Sequence, residues 1–402
     1  MLVLEFFNVG SMTAQSLLYD ISDGAQKVII PFEYQNNFII INVSFGDNIN
    51  VKFIVDTGAE FSMFTIKDIA DILGLKYVRS VKILGADYQT LLKAYLTEGI
   101  DFKIGRLNLI KKNLLVLKDE FLQYDILTEL NVVGLIGSDI LSNFIVKIDY
   151  ENKFITLIKP QFFRPSKKLK TLALDIWRQK PYVHVACQLK RNQTDTLKFL
   201  LDTGAGLSML LLNNTHPSIT VPEKTINGRL GMGLGGYLEG VIGRIPSIQF
   251  GSYKFNSPVC NFQEPPIIPD SLSIYKRNGI IGNGILSRFD IYFDYIHANL
   301  YYTPNSNVVK EIEYDKSGIL ILATGYNFNK YIIKDLTPNS PAVMADIRPG
   351  DRIVNINHWP SFLINAQFIT KMLSKEEGKL IKLTLKRDGK RIKKEFRLKN
   401  LI

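Results

Sequence analysis

The chain has 402 residues, 46% hydrophobic and 22% charged, with 49 basic against 38 acidic side chains and a formal net charge of +11. This is the mixture of an ordinary globular protein of two or three domains, and it excludes a chain dominated by low-complexity or disordered sequence. Two cysteines, Cys187 and Cys260, exclude a disulfide framework while leaving a single bridge open, and no apolar run is long enough for a spanning helix.

Met1 to Phe7 is apolar apart from Glu5, and Ser11 to Gln15 offers small residues with a cleavage point after Ala14, although a basic leader is missing. The expectation is that residues 1–25 are a segment outside the fold, a signal remnant, and that the protein is exported to a bacterial periplasm or cell envelope. Gln26 to Pro31 reads as extended, and Asn37 to Phe45, the turn Gly46-Asp47-Asn48 and Val51 to Val55 read as a hairpin that delivers Asp56 into the turn Asp56-Thr57-Gly58-Ala59. Thr65 to Leu73 has helical spacing and is stopped by Gly74. Val78 to Leu84 runs into Gly85-Ala86-Asp87 and returns from Leu91, a candidate flap hairpin. Further strands at Ile100 to Ile104 and Leu107 to Leu117 precede Leu135-Ile136-Gly137, a short helix Ser138 to Phe144 and a hairpin Ile145 to Ile158. Lys159 to Lys170, with Pro160, Pro165 and four lysines, reads as a linker.

The plan then repeats. Leu197 to Leu201 leads into Asp202-Thr203-Gly204-Ala205, and Ile280-Ile281-Gly282 stands where Leu135-Ile136-Gly137 stood. Asp202 lies 146 residues after Asp56, while 145 residues separate Gly137 from Gly282 and Asp149 from Asp294, each of the last two followed by tyrosine. A repeat of this length is a duplicated domain. Its flap candidate, Leu230 to Gly240, is glycine-rich around Gly233-Leu234-Gly235-Gly236, which permits a mobile tip and a close backbone approach to a ligand.

Two aspartate turns of the form D-T-G-A, each at the end of an apolar strand and each followed some eighty residues later by two apolar residues and glycine, resemble the retropepsin-like aspartic proteases, here with both halves on one chain. The resemblance covers roughly residues 28 to 304. It implies a mainly β fold, two pepsin- or retropepsin-like barrel lobes with pseudo-twofold symmetry, at 26–160 and 171–304 around a linker at 161–170. It also implies that Asp56 and Asp202 meet at the junction, that Thr57 and Thr203 hydrogen-bond across it, and that Ala59 and Ala205 leave room for substrate backbone.

Two adjacent carboxylates do not both ionise cheaply, so one keeps a proton while the other acts as base, and a single pair can activate water and protonate a leaving amine. Gly58 and Gly204 permit the tight turn and leave N–H groups free to point at the carboxylates. The apolar pairs before Gly137 and Gly282 are expected to pack behind the aspartates and dry them. Glu60 and Gly206 differ between the halves, so the two sides of a cleft would read different parts of a substrate.

Residues 305–402 contain Ser340-Pro341-Ala342 and Arg348-Pro349-Gly350-Asp351, which resemble the signature of a PDZ domain, a small α+β unit. Aligned from it, Ser317-Gly318-Ile319-Leu320 falls at that family's carboxylate-binding loop, here without its usual second glycine, and Asn365 to Leu373 at its groove helix, with Phe368 and Met372 facing the groove. Ten basic residues between Lys379 and Lys399 alternate with apolar ones around Asp388-Gly389, the pattern of a solvated hairpin face and not of a nucleic-acid site. His184, His216, His297 and His358 lack metal-ligand spacing, so neither metal nor cofactor is expected.

The sequence therefore points to an aspartic endopeptidase acting on polypeptide, with a PDZ domain that binds or positions peptide, complete as a monomer and without a membrane span. The competing reading is a peptide-binding scaffold whose protease lobes no longer cut. A serine or cysteine hydrolase fails for want of a motif that places a nucleophile beside a histidine.

Overall fold

The computed structural model describes residues 19–46, 49–85, 91–118, 130–190, 193–233, 236–264, 277–312, 314–325 and 329–402, of which the side chains of 227–239 are left aside. Most of the segment expected as a signal remnant, residues 1–18, lies outside these. The fold is mainly β, in three sheets that build two lobes and a fourth that belongs to the C-terminal unit.

Each lobe is organised by the same loop. In the first, Ile49–Val55 carries the chain up to Asp56 and Met63–Phe64 carries it away. Val132–Ile136 then inserts between them, parallel to the incoming strand with Ile136 opposite Val55, and antiparallel to the outgoing one. In the second lobe Gly279–Ile281 inserts in the same way between Gln193–Leu201 and Met209–Leu212, with Ile281 opposite Leu201. The inserted strand holds both stems of the aspartate turn, and its end supplies a backbone acceptor: Asp56 N donates to Ile136 O at 2.9 Å and Asp202 N to Ile281 O at 3.0 Å.

A six-stranded sheet joins the lobes, and it takes three strands from each half. Ile145–Asp149 of the first half pairs antiparallel with Phe289–Asp294 of the second, Ile145 opposite Asp294 and Ile148 opposite Ile291. Phe154–Ile158 and Lys27–Pro31 extend it on one side, Asn299–Pro304 and Lys170–Ala173 on the other. This pairing is the local expression of a pseudo-twofold axis. One continuous apolar core, from Ile21 to Tyr302, runs through both lobes and this sheet, including Phe53 and its repeat counterpart Phe199, both 0% exposed. Burial of apolar area on this scale is what holds the halves together.

Several elements differ from the sequence reading. Tyr19–Ile21, set aside with residues 1–25, is a strand of the first lobe, paired with Leu107–Lys112, because Ile21 is apolar enough to be buried and Tyr19 OH reaches Asp139 O at 3.1 Å. The helix expected over Ser138 to Phe144 stops at Leu141. Both candidate flaps are hairpins, Tyr77–Leu84 with Leu91–Thr97 and Ile226–Gly233 with Gly236–Arg244. Their tips at Ala86, Asp87, Leu234 and Gly235 lie outside the described residues. Cys187 and Cys260 are buried free thiols.

The C-terminal unit has a core of its own, from Ile319 to Leu398, around a sheet ordered Ile319–Thr324, Lys330–Leu336, Arg352–Ile356, Leu380–Arg387 and Lys390–Arg397. The last two strands turn at Asp388 and Gly389, both in the left-handed region at φ 48° and 79°, as the sequence pattern required.

Candidate active site

The two turns meet on the pseudo-twofold axis. Gly58 N and Ala59 N donate to Asp56 Oδ1 at 2.8 and 2.9 Å, and Gly204 N donates to Asp202 Oδ1 at 2.8 Å. Each carboxyl lies against the opposite turn: a Cβ added at Gly58 would fall 2.5 Å from Asp202 Cγ, and one at Gly204 would collide with Asp56 Cγ. Glycine is required at both places because the partner carboxyl occupies the space of a side chain. The two carboxyls are close enough that each shifts the pKa of the other.

Below them the threonines lock the halves together. Thr57 N donates to Thr203 Oγ1 and Thr203 N to Thr57 Oγ1, both at 3.0 Å, while Thr57 Oγ1 donates to Leu201 O and Thr203 Oγ1 to Val55 O, both at 2.7 Å. Both threonines are 0% exposed, so all four bonds are made in a water-free place.

Burial raises the pKa of Asp56 against the opposing pull of the Asp202 hydrogen bond, the Gly58 and Ala59 N–H groups and the Lys180 ammonium. Asp202 is pushed well above the ordinary carboxylate range, by burial first and by the charge of Asp56 second. Both shifts run the same way, so the pair holds a proton above the ordinary carboxylate range.

The apolar pairs expected behind the aspartates divide between two faces, since successive strand residues point oppositely. Ile136 and Ile281 enter the main core, whereas Leu135 joins a separate cluster with Ile40, Ile54, Leu115 and the half-buried Ala59 and Phe38, and Ile280 packs on Leu210 and Leu212. Only one residue of each pair therefore lies on the main-core side.

Sequence reading missed a set of supporting residues. Ser62 N and Oγ donate to Asp139 Oδ1 at 2.9 and 2.6 Å, Gly137 N donates to Ser62 Oγ, and Ser138 Oγ to Thr57 O. In the second lobe Asn283 Nδ2 donates to Thr203 O at 2.6 Å and to Asn37 O at 2.7 Å, and its Oδ1 accepts from Tyr150 OH at 2.8 Å. The Asp-Tyr pair repeated at 149–150 and 294–295 was the one legible signal, for Tyr295 sits beside Ser138 as Tyr150 sits beside Asn283.

Two equivalent hairpin tips reach across to the opposite lobe, and they carry different chemistry. Asn36 and Asn37, at φ 50° and 63°, present Phe38, whose ring would lie 3.3 Å from a Cβ at Gly206, and Asn37 Nδ2 donates to Gly206 O at 2.8 Å. Arg178 and Gln179, at φ 50° and 59°, present Lys180, and Arg178 Nη1 lies 3.8 Å from Glu60 Oε2. Lys180 is half-buried; burial lowers its pKa, opposed by Glu60, Asp202 and Asp56. One side of the junction is thus apolar and the other is ionic.

In the C-terminal unit, Ile319–Thr324 is an edge strand paired only with Lys330–Leu336 among the described residues. The helix Ala366–Leu373 follows its cap, Asn365, whose Oδ1 accepts from Phe368 N at 2.9 Å. Ile369 and Leu373 enter the core, while Phe368 and Met372 stay half-buried; Ser317 is buried and Gly318 stands at φ 77°.

No curated protein matches the chain. Among solved structures it is similar to an aspartic proteinase from Irpex lacteus, at 12% identity over 71% of this chain and 99% of that one with a TM-score of 0.45. It is also similar to basic 7S globulin from soybean, at 11% identity over 70% of this chain and 95% of that one with a TM-score of 0.43. The family model described as PDZ domain matches residues 311–398, and these residues form a PDZ domain.

Proposed function

We propose that the two lobes form a retropepsin-like aspartic endopeptidase in which Asp56 and Asp202 activate one water between them, and that the PDZ domain binds or positions the polypeptide. The observation that carries this reading is the exchange of threonine hydrogen bonds that sets two buried carboxyls against each other's glycine. Water held between the carboxyls loses a proton to the ionised one as its oxygen attacks the amide carbon. The protonated carboxyl hydrogen-bonds the carbonyl oxygen as it becomes tetrahedral. The leaving nitrogen then takes a proton from the pair as the C–N bond breaks, which restores the single shared proton. No cofactor enters this reaction, and one chain supplies both carboxyls.

The site should bind the tetrahedral geometry in preference to the planar amide. A peptide carrying a hydroxyethylene unit in place of one amide is expected to bind one per chain and at least about a hundredfold tighter than the parent peptide. Calorimetric titration checks this; equal affinities, or a preference retained by Asp56→Asn, would sink the reading.

Lys180 tunes the pair. Its ammonium lowers the pKa of both aspartates. Removing it raises both, so the acid and the basic limb of the pH–rate profile move the same way. The Lys180→Met variant is expected to have its kcat/KM bell displaced upward. An unmoved or downward-shifted bell would contradict that role.

A further inference from the structure

Positive charge is concentrated at the C-terminal end of the chain. Residues 311–402 hold 17 basic against 10 acidic side chains, out of 49 against 38 in the whole. The strands Arg352–Ile356, Leu380–Arg387 and Lys390–Arg397 carry much of this excess, and Glu395 is their only acid. The pleat sorts their cations into two groups, because successive strand residues face opposite ways. Ile381, Leu383 and Leu385 turn into the core, and the cations on their side are matched by carboxylates: Arg387 Nε lies 2.7 Å from Asp351 Oδ1 and Lys394 Nζ 2.8 Å from Asp346 Oδ2.

The other side of the same strands is unmatched. Lys382 and Lys386 on one strand and Arg391 and Lys393 on the next are exposed there, beside the half-buried Arg352. Register sets Arg352 opposite Lys386 and Lys386 opposite Arg391, so three cations cross three strands in one line; Lys393 stands opposite Thr384 and Lys382 opposite Glu395. Among the described residues none of these five cations makes an ion pair. Like charges directly opposite in a sheet repel, so the row costs stability by itself. The face extends about 14 Å along the strands from Lys382 to Lys386 and about 10 Å across them. That is close to a Debye length of about 10 Å at 0.1 M salt, so its charges act together on a facing surface. It offers no aromatic ring on which a base could stack, since the one aromatic of these strands, Phe396, is buried.

We propose that this outer sheet face of the PDZ domain adsorbs to a bilayer surface rich in anionic phospholipid, and so holds the chain at a membrane without crossing it. Clusters of about four to eight lysines and arginines are of the size that anionic headgroups recruit, and each cation adds to the attraction. A plane of negative charge against the row turns its internal repulsion into a gain on binding. The core and the carboxylate-matched cations lie behind the face, so adsorption asks for no rearrangement of the fold.

The test sediments the full chain with vesicles of phosphatidylcholine alone and with vesicles that also hold about 30% phosphatidylglycerol. Partitioning onto the anionic vesicles is expected to be at least about tenfold stronger, and to fall at least about tenfold between about 50 and 300 mM salt. Lys386→Glu sets an anion between Arg352 and Arg391. It is expected to weaken partitioning at least about tenfold while raising the melting temperature, because two repulsions become attractions. Lys371→Glu makes the same charge change at an exposed position of the helix Ala366–Leu373, which packs on the core, and should stay within about twofold of the unsubstituted chain. Equal partitioning onto both kinds of vesicle, binding to neither, or equal losses from the two substitutions would each overturn the proposal. Duplex DNA bound more tightly than the anionic vesicles at the same salt, with the same dependence on Lys386, would overturn it in favour of a nucleic-acid partner.

Discussion

Thr203→Val is expected to destabilise the protein by about 2–5 kcal/mol, the sum of the buried polar groups it strands. Valine keeps the shape of threonine and removes only the hydroxyl. Its loss deletes the bond to Val55 O and the acceptor of Thr57 N, leaving both backbone groups without those partners at a place where neither threonine is exposed to water. Because the lost bonds cross between lobes, the carboxyls also lose their registration. Urea unfolding of the variant beside Thr203→Ser measures this: the serine variant, which keeps the hydroxyl, should stay within about 1 kcal/mol of wild type. A valine variant as stable as the serine one would show that the threonine exchange does not hold the junction.

Asp202→Asn is expected to move stability and function in opposite directions. The folded pKa of Asp202 is raised above its unfolded value by burial and by Asp56, so the folded chain binds more protons than the unfolded one in the window between the two values. The stability associated with this group is present below the unfolded pKa and is lost as pH rises through the folded one. At pH 7 the native protein therefore carries a strained pair that asparagine relieves. A gain of about 1–2 kcal/mol is expected at pH 7, shrinking toward pH 4, while cleavage falls about a thousandfold or more. Thermal unfolding across pH 4 to 8 reads the first effect, and a variant less stable than wild type at pH 7 would contradict it.

The symmetric parts of this molecule were readable because the chain writes them twice. Asp56 and Asp202, the threonines and the glycines occupy equivalent positions in two copies of one turn, and a twofold junction needs the same groups from each side. What stayed hidden is what the halves do not share. Asp139, which fastens Ser62, faces Gly284 in the other copy; Lys180 stands where Phe38 does, and Glu60 where Gly206 does. A difference between repeats looks the same in sequence whether it is drift or function, and only the cross-lobe contacts of Phe38 and Arg178 give these positions meaning. Asp315, which fastens the loop at Ser317 and Gly318, escaped for another reason: besides the Ser317 hydroxyl its partners are backbone N–H groups, which have no signature in side-chain pattern. Tyr19–Ile21 was set aside because three residues are too few to show a strand period, and their burial depends on partners near residue 108.

The most direct measurement is cleavage of unfolded casein between pH 3 and 8 by the full chain and by Asp56→Asn and Asp202→Asn. The wild type is expected to cut and each variant to lose about a thousandfold or more, because in the proposed reaction one carboxyl acts as base while the other acts as acid. A wild type that cuts nowhere in this range would give precedence to the scaffold reading, and a variant that cuts as well as wild type would show that the chemistry lies elsewhere in the chain.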